Sequence, residues 1–245
     1  MGRVFGFLYG VSVYLLFLLT FLYTIGFVGN FIVPKSIDTG VPRALVPALI
    51  INLSLLSLFA FQHSVMARPG FKRIWTKVIP VSVERSTYNL LTCVALIVLI
   101  VFWVPMAQPI WDVSGTPVGN FLEGAFWAGW IIVLLSTFMI NHFDLFGLRQ
   151  VTAHLRQRPI PKSSFQKAVF YRLVRHPIMT GFLIAFWMTP TMTVGHLLFA
   201  VVTTLYIYIA VLRFEEKDLV NDLGEKYQSY QDEVGPFFPG IGKGR

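Results

Sequence analysis

Charge is scarce in this chain. Asp, Glu, Lys and Arg make up 13% of its 245 residues, about half the share usual in a soluble domain and too little to cover a water-facing surface. Hydrophobic residues reach 55%, with 23 Phe, 9 Tyr and 6 Trp, more aromatic bulk than a soluble core of this length can hide. A soluble protein is thereby excluded. Cysteine is nearly absent: Cys93 stands alone in an apolar run, which excludes a disulfide framework and leaves it a packing role. No HExxH, paired-cysteine or close histidine-pair pattern proposes a metal. No glycine-rich fingerprint proposes a Rossmann or P-loop nucleotide site, and no G-x-S-x-G elbow a hydrolase. The basic residues lie between apolar runs rather than as a stripe on a soluble surface, so nucleic acid is not an expected partner. No repeat and no long linker divides the chain, which reads as a single domain over 1–245.

What is present is a series of apolar runs near the 20 residues that cross a bilayer as a helix. They run over Val4–Val28, Ala44 to about Phe61, Tyr88–Val104 and Phe121–Ile140, the last carrying on toward Phe146. The first is too long for a signal peptide. A further stretch, Ile178–Leu212, is too long for one span, and Pro190 and Gly195 divide it into a helical hairpin. The expected fold is all-α: a polytopic integral membrane protein of five to six transmembrane helices, the last two forming the Pro-broken hairpin, followed by a short C-terminal helix. The loop at 67–87 carries Arg68, Lys72, Arg73, Lys77 and Arg85 against Glu84, and 148–176 carries seven basic residues and no acid. The connection 105–120 has Asp112 and no basic residue. By the positive-inside rule the two basic loops and the tail from Phe214 face the cytoplasm.

Polar residues gather at the expected cytoplasmic ends of the runs: Gln62–His63, Asn141–His142–Phe143–Asp144, Arg175–His176–Pro177 and Glu215–Glu216. Each has a plain reading as well as a functional one. The two histidines can cap helix ends, Asp144 can pair with Arg149, Arg175 can be a topogenic cation, and the two acids can simply open a solvated tail. Four clusters on one side nevertheless point to a site at the membrane–cytoplasm boundary.

The C-terminal third carries an ordered set of motifs. Arg175-His176-Pro177-Ile178-Met179-Thr180-Gly181 is followed by the broken hairpin and Glu215-Glu216. Leu223-Gly224-Glu225-Lys226-Tyr227-Gln228-Ser229-Tyr230 and Pro236-Phe237-Phe238-Pro239 come after. This set resembles the membrane methyltransferases of the isoprenylcysteine carboxyl methyltransferase type, relatives of the phospholipid methyltransferases. Two earlier stretches, Phe61–Pro69 and Asn141–Gln150, resemble a bacterial branch that methylates methanethiol to dimethyl sulfide. The resemblance implies helices over 1–143 and a methyltransferase core over 144–240.

It also implies S-adenosylmethionine as cofactor, a small thiol as substrate, and no metal or obligate protein partner. Tyr171, Arg172, Arg175, His176, Pro177 and Gly181 would hold the cofactor from one side, and Glu215 and Glu216 from the other, with Gln150 and His154 contributing. Where the family often has tyrosine two residues after the motif proline, this chain has Met179. The acceptor must react as a thiolate, and alkyl thiols are mostly protonated at neutral pH, cysteine having a pKa of about 8.5. Asp144 and His142 are therefore the candidate catalytic groups, with Arg149 as ion-pair partner or cofactor anchor, and His63 and Tyr88 as lesser candidates for the substrate pocket. Two alternatives stand beside this reading. One keeps the chemistry but methylates a prenylcysteine-type carboxylate or a phospholipid amine. The other is a non-catalytic membrane accessory protein similar to the nitrite and nitric-oxide reduction-associated family, whose span-ending His-Ser pattern resembles His63–Ser64.

Overall fold

A computed structural model describes residues 2–159 and 169–244. Five of its helical stretches are long and apolar enough to cross a membrane, and the protein is an integral membrane protein of all-α class. Helix α1 (Arg3–Gly29) carries no charge after its first residue and stops where Asn30 takes a left-handed conformation, φ 61°. Asparagine is among the few residues that tolerate that region. Helix α2 (Leu45–Ala67) and the short α3 (Pro69–Trp75) are separated at Arg68, whose extended backbone suits the residue before a proline. Helix α4 (Val81–Phe102) begins seven residues before the expected Tyr88. Its first turns hold Glu84 and Arg85, polar residues that a hydropathy reading leaves outside the span.

The described chain divides into two compact units, Met1–Ala107 with Asn141–Ser164, and Gln108–Ile140 with Phe165–Arg245. In the first, α1 and α2 both pack on α4, and α7 (Leu148–Leu155) packs on α1 and α4. Asn52, in the middle of α2, is buried but satisfied. Its Nδ2 donates to Val104 O at 2.8 Å and its Oδ1 accepts from Val104 N at 2.9 Å, so one side chain closes the backbone beyond α4. A buried amide without partners would be destabilising by a few kcal/mol. Cys93 is buried on α4.

In the second unit, α5 (Pro117–Ile140) lies along α8 (Pro177–Trp187). The approach is close enough to require glycine: a Cβ on Gly181 would stand 2.6 Å from Gly129 O, and one on Gly129 would stand 2.7 Å from Gly181 O. At 11 residues, α8 extends only about 16 Å at a 1.5 Å rise per residue, half of a bilayer core of about 30 Å. The proline break thus yields one short helix and one long one. Between them stands an element the sequence reading does not contain. Strand β2 (Thr191–Thr193) pairs antiparallel with β1 (Pro109–Asp112), the segment expected as a plain connection. Thr193 then caps α9 (Val194–Ile209) by accepting from His196 N at 3.1 Å. The His196 ring returns to Phe186 O at 2.9 Å and satisfies a carbonyl at the end of α8.

The helix does not end at Leu212. It widens into a π-turn over Ala210–Glu215 and continues as α10 (Glu216–Leu223), then α11 (Glu225–Glu233) beyond Gly224. π-Turns within helices are frequent at functional sites, and this one places Glu215 and Glu216 at its exit.

Candidate functional site

The π-turn aims the two glutamates differently. Glu216 is buried, and its Oε1 accepts from Arg175 Nε at 2.7 Å and lies 3.1 Å from His176 Nε2. Its Oε2 accepts from Gln231 Nε2 at 3.2 Å. The Arg175 guanidinium is equally committed, with Nη1 donating to Gln231 O at 3.0 Å and also to Val234 O. Glu215 is the open member: its side chain is 45% exposed, with Oε1 3.7 Å from His176 Nδ1. One histidine therefore stands between a buried carboxylate and an accessible one.

The C-terminal segment locks this cluster in place. Arg175 N donates to Gly235 O at 2.8 Å and His176 N to Pro236 O at 3.0 Å. Thr180 Oγ1 donates to Phe237 O at 2.8 Å. The Arg-His-Pro segment, Glu216, Gln231 of α11 and the Gly235–Phe237 stretch, far apart in sequence, thus form one hydrogen-bonded body. Tyr230 donates to Tyr171 O. Burial pushes the Tyr230 hydroxyl up to about 12 and raises Tyr171 and Tyr227 as well, the nearby glutamates adding to the effect on both. The Tyr171 hydroxyl is buried and has no hydrogen-bond partner among the described residues, although an unsatisfied buried polar group is costly. Arg172 is exposed beside it. Pro177 opens α8 at a position where a missing N–H costs nothing, and Gly181 serves the contact with α5.

Next to Arg175, a cavity of about 860 Å³ opens between α8, α9 and residues 236–243, walled by Leu183, Trp187, Ile207, Tyr208 and Phe237. Its lining is mostly apolar.

The other candidates lie in the first unit. Asn141 breaks the chain after α5 and caps α6 (His142–Leu145), its Oδ1 accepting from Asp144 N at 3.2 Å. Gly147, at φ 84°, then turns the chain into α7. A Cβ there would meet Ser86 Oγ at 2.6 Å, so both the conformation and the packing demand glycine. His142 is buried, with Nε2 2.8 Å from the hydroxyl of Tyr14 on α1. Burial holds its imidazole below the ordinary histidine value, so it is neutral at pH 7 and able to accept a proton. The carboxylate of Asp144 accepts from Gln150 Nε2 at 3.3 Å. The anticipated pair with Arg149 is not formed among the described residues, because α7 turns Gln150 rather than Arg149 toward Asp144. Arg149 and His154 are half-buried on α7. His63 and Tyr88 do meet, the Tyr88 hydroxyl lying 3.0 Å from the His63 ring, with Thr92 Oγ1 at 3.4 Å from Nδ1.

Two kinds of residue escape the sequence reading. Gln231 and Val234 sit directly beyond the Leu223–Tyr230 motif, and their closeness to it is the signal that could have found them. Tyr14 is one of several hydroxyls on an apolar helix, and nothing in the sequence singles it out.

Comparison with known proteins adds the family. The chain is 52% identical over 240 residues to a methanethiol S-methyltransferase of Mycobacterium tuberculosis, covering 98% of both chains. It is 51% identical over 232 residues to methanethiol S-methyltransferase 2 of Bradyrhizobium diazoefficiens, covering 95% of this chain and 89% of that one. A more distant likeness, 27% over 176 residues, is to nurim of Rattus norvegicus, covering 69% of this chain and 67% of that one. No family model and no solved structure matches.

Proposed function

The chain belongs to the methanethiol S-methyltransferase family, and we propose that it transfers a methyl group from S-adenosylmethionine to methanethiol, releasing dimethyl sulfide. The observation that carries this reading is the buried Arg175–His176–Glu216 body with Glu215 left open beside it. Such a body holds one carboxylate in a fixed place facing solvent. The residues fit the donor. Glu215 offers a carboxylate to an ammonium or to ribose hydroxyls, the exposed Arg172 offers a guanidinium to the methionine carboxylate, and the buried Tyr171 hydroxyl is available for a further hydrogen bond. When bound, the donor supplies an electrophilic methyl on a sulfonium sulfur.

The chain's own work is then holding, aligning and deprotonating. Glu216 braces Arg175 and His176, and His176 orients Glu215. In-line transfer between two sulfurs needs little covalent help, so alignment supplies most of the rate gain. The acceptor thiol must lose its proton, and His142, held neutral by burial, is the base; Asp144, tied to Gln150, stabilises the positive charge that results. Arg149 lies beside Gln150 on α7, and His63 with Tyr88 lines the acceptor side. The whole chain works as one methyltransferase domain in a bacterial inner membrane, its basic loops and C-terminal tail on the cytoplasmic side.

The size of the apolar cavity favours a second reading, in which a bulkier acceptor such as a prenylcysteine analogue is methylated. One experiment tests both. Purified protein is given S-adenosylmethionine with methanethiol, a longer alkyl thiol or a prenylcysteine analogue, and products are identified by gas chromatography and mass spectrometry. Dimethyl sulfide as the main product supports the first reading, a methylated prenylcysteine supports the second, and no methylated product refutes both.

A further inference from the structure

His142 is 5% exposed. Tyr14, on α1 and 128 residues earlier in the chain, places its hydroxyl 2.8 Å from His142 Nε2 and is itself only half-buried. The imidazole is boxed edge-on by aromatic rings, with Tyr14 at 5.7 Å and 89°, Phe143 at 5.5 Å and 88°, and Phe146 at 4.8 Å and 61°. Phe17, one turn from Tyr14, stacks at 3.9 Å on Phe146, the residue that follows α6. A base enclosed in this way is poorly placed to meet a thiol directly, whereas the hydroxyl that touches its Nε2 is reachable.

We infer that Tyr14 is a catalytic residue that relays the thiol proton to His142. This rests on the thiol-methylation reading above. A phenol hydroxyl donating to Nε2 leaves the ring proton on Nδ1, which makes Nε2 the basic atom and points it at Tyr14. In the relay the substrate S–H bond breaks and its proton goes to Tyr14 Oη. The Tyr14 O–H proton passes to Nε2 at the same time, leaving an imidazolium and a thiolate. The thiolate electron pair forms the new S–CH3 bond, and the donor's S–CH3 bond breaks with its pair returning to the donor sulfur. The imidazolium later returns its proton to solvent along the same path.

The test compares wild type with Tyr14→Phe, which keeps the ring and its packing and removes only the hydroxyl. Two acceptors are supplied at one mildly alkaline pH: methanethiol, which is mostly protonated there, and hydrogen sulfide, which is smaller and mostly ionised. A relay predicts a loss in kcat of about 100-fold with methanethiol, the scale of general base catalysis, and less than about threefold with hydrosulfide. His142→Asn must show the same dependence on acceptor ionisation, which keeps the test open if Tyr14→Phe fails to fold. Equal losses with both acceptors, or no loss with methanethiol, would overturn the relay. A wild type that methylates neither acceptor overturns the thiol-methylation reading itself.

Discussion

Glu216 Oε1 lies 2.7 Å from Arg175 Nε, with the arginine side chain wholly buried and the glutamate side chain 6% exposed. A buried ion pair of this kind is costly to break from one side, because the remaining charge is left without a partner. Such breaks typically cost 3–5 kcal/mol. Glu216→Ala is therefore expected to lower thermal stability by about that amount, read as a large drop in Tm of the protein in detergent. An unchanged Tm would contradict the bracing role assigned to Glu216.

Glu215→Gln should behave in the opposite way. Its side chain is 45% exposed, so stability should change by no more than about 0.5 kcal/mol, as for most surface substitutions. Loss of a charge-assisted hydrogen bond, about 1.5–3 kcal/mol, should weaken S-adenosylmethionine binding roughly 10-fold or more. Calorimetric titration of the two variants separates brace from ligand. Equal affinity in Glu215→Gln and wild type would remove Glu215 from the donor site.

Gly181→Ala tests whether this motif glycine serves packing. The added carbon would meet Gly129 O at 2.6 Å and Val133 Cγ2 at 2.8 Å, forcing α8 off α5. Overpacking of this kind costs about 1–3 kcal/mol, and the loss should appear in Tm. If Tm is kept while donor affinity falls, Gly181 belongs to the ligand site instead.

Stability should also depend on pH through His142. Its folded-state pKa lies below the ordinary value, so the unfolded chain binds a proton that the folded chain resists. The stability contributed by the neutral imidazole is fully present above about pH 6.5 and is lost as pH falls from there through the lower folded-state value. A Tm that declines below pH 6.5 in wild type, and declines less in His142→Asn, is the expected pattern. Identical acid profiles for the two proteins would contradict it.

The helices were legible in the sequence because lipid leaves little choice: an apolar run near 20 residues must satisfy its own backbone, and helix is the way to do so. The start of α4 was not legible, since Glu84 and Arg85 belong to its first turns while sitting outside the apolar run. Nor was the β1–β2 pair, because seven residues far apart in sequence carry too little pattern to announce a strand. At the site, residue types and order marked Arg175, His176, Glu215 and Glu216, but not their division of labour. Burial decides that division, and two adjacent glutamates look alike until the π-turn sends one inward. Tyr14 depends on a contact across 128 residues, which no local spacing encodes.

The central claim is that the chain moves a methyl group from S-adenosylmethionine onto methanethiol. The most direct measurement supplies the donor with a deuterated methyl group, together with unlabelled methanethiol and purified protein, and weighs the volatile product. The expected result is dimethyl sulfide carrying one deuterated and one ordinary methyl group, formed in step with S-adenosylhomocysteine. Dimethyl sulfide without the label, or donor consumed with no labelled sulfide formed, would contradict the account.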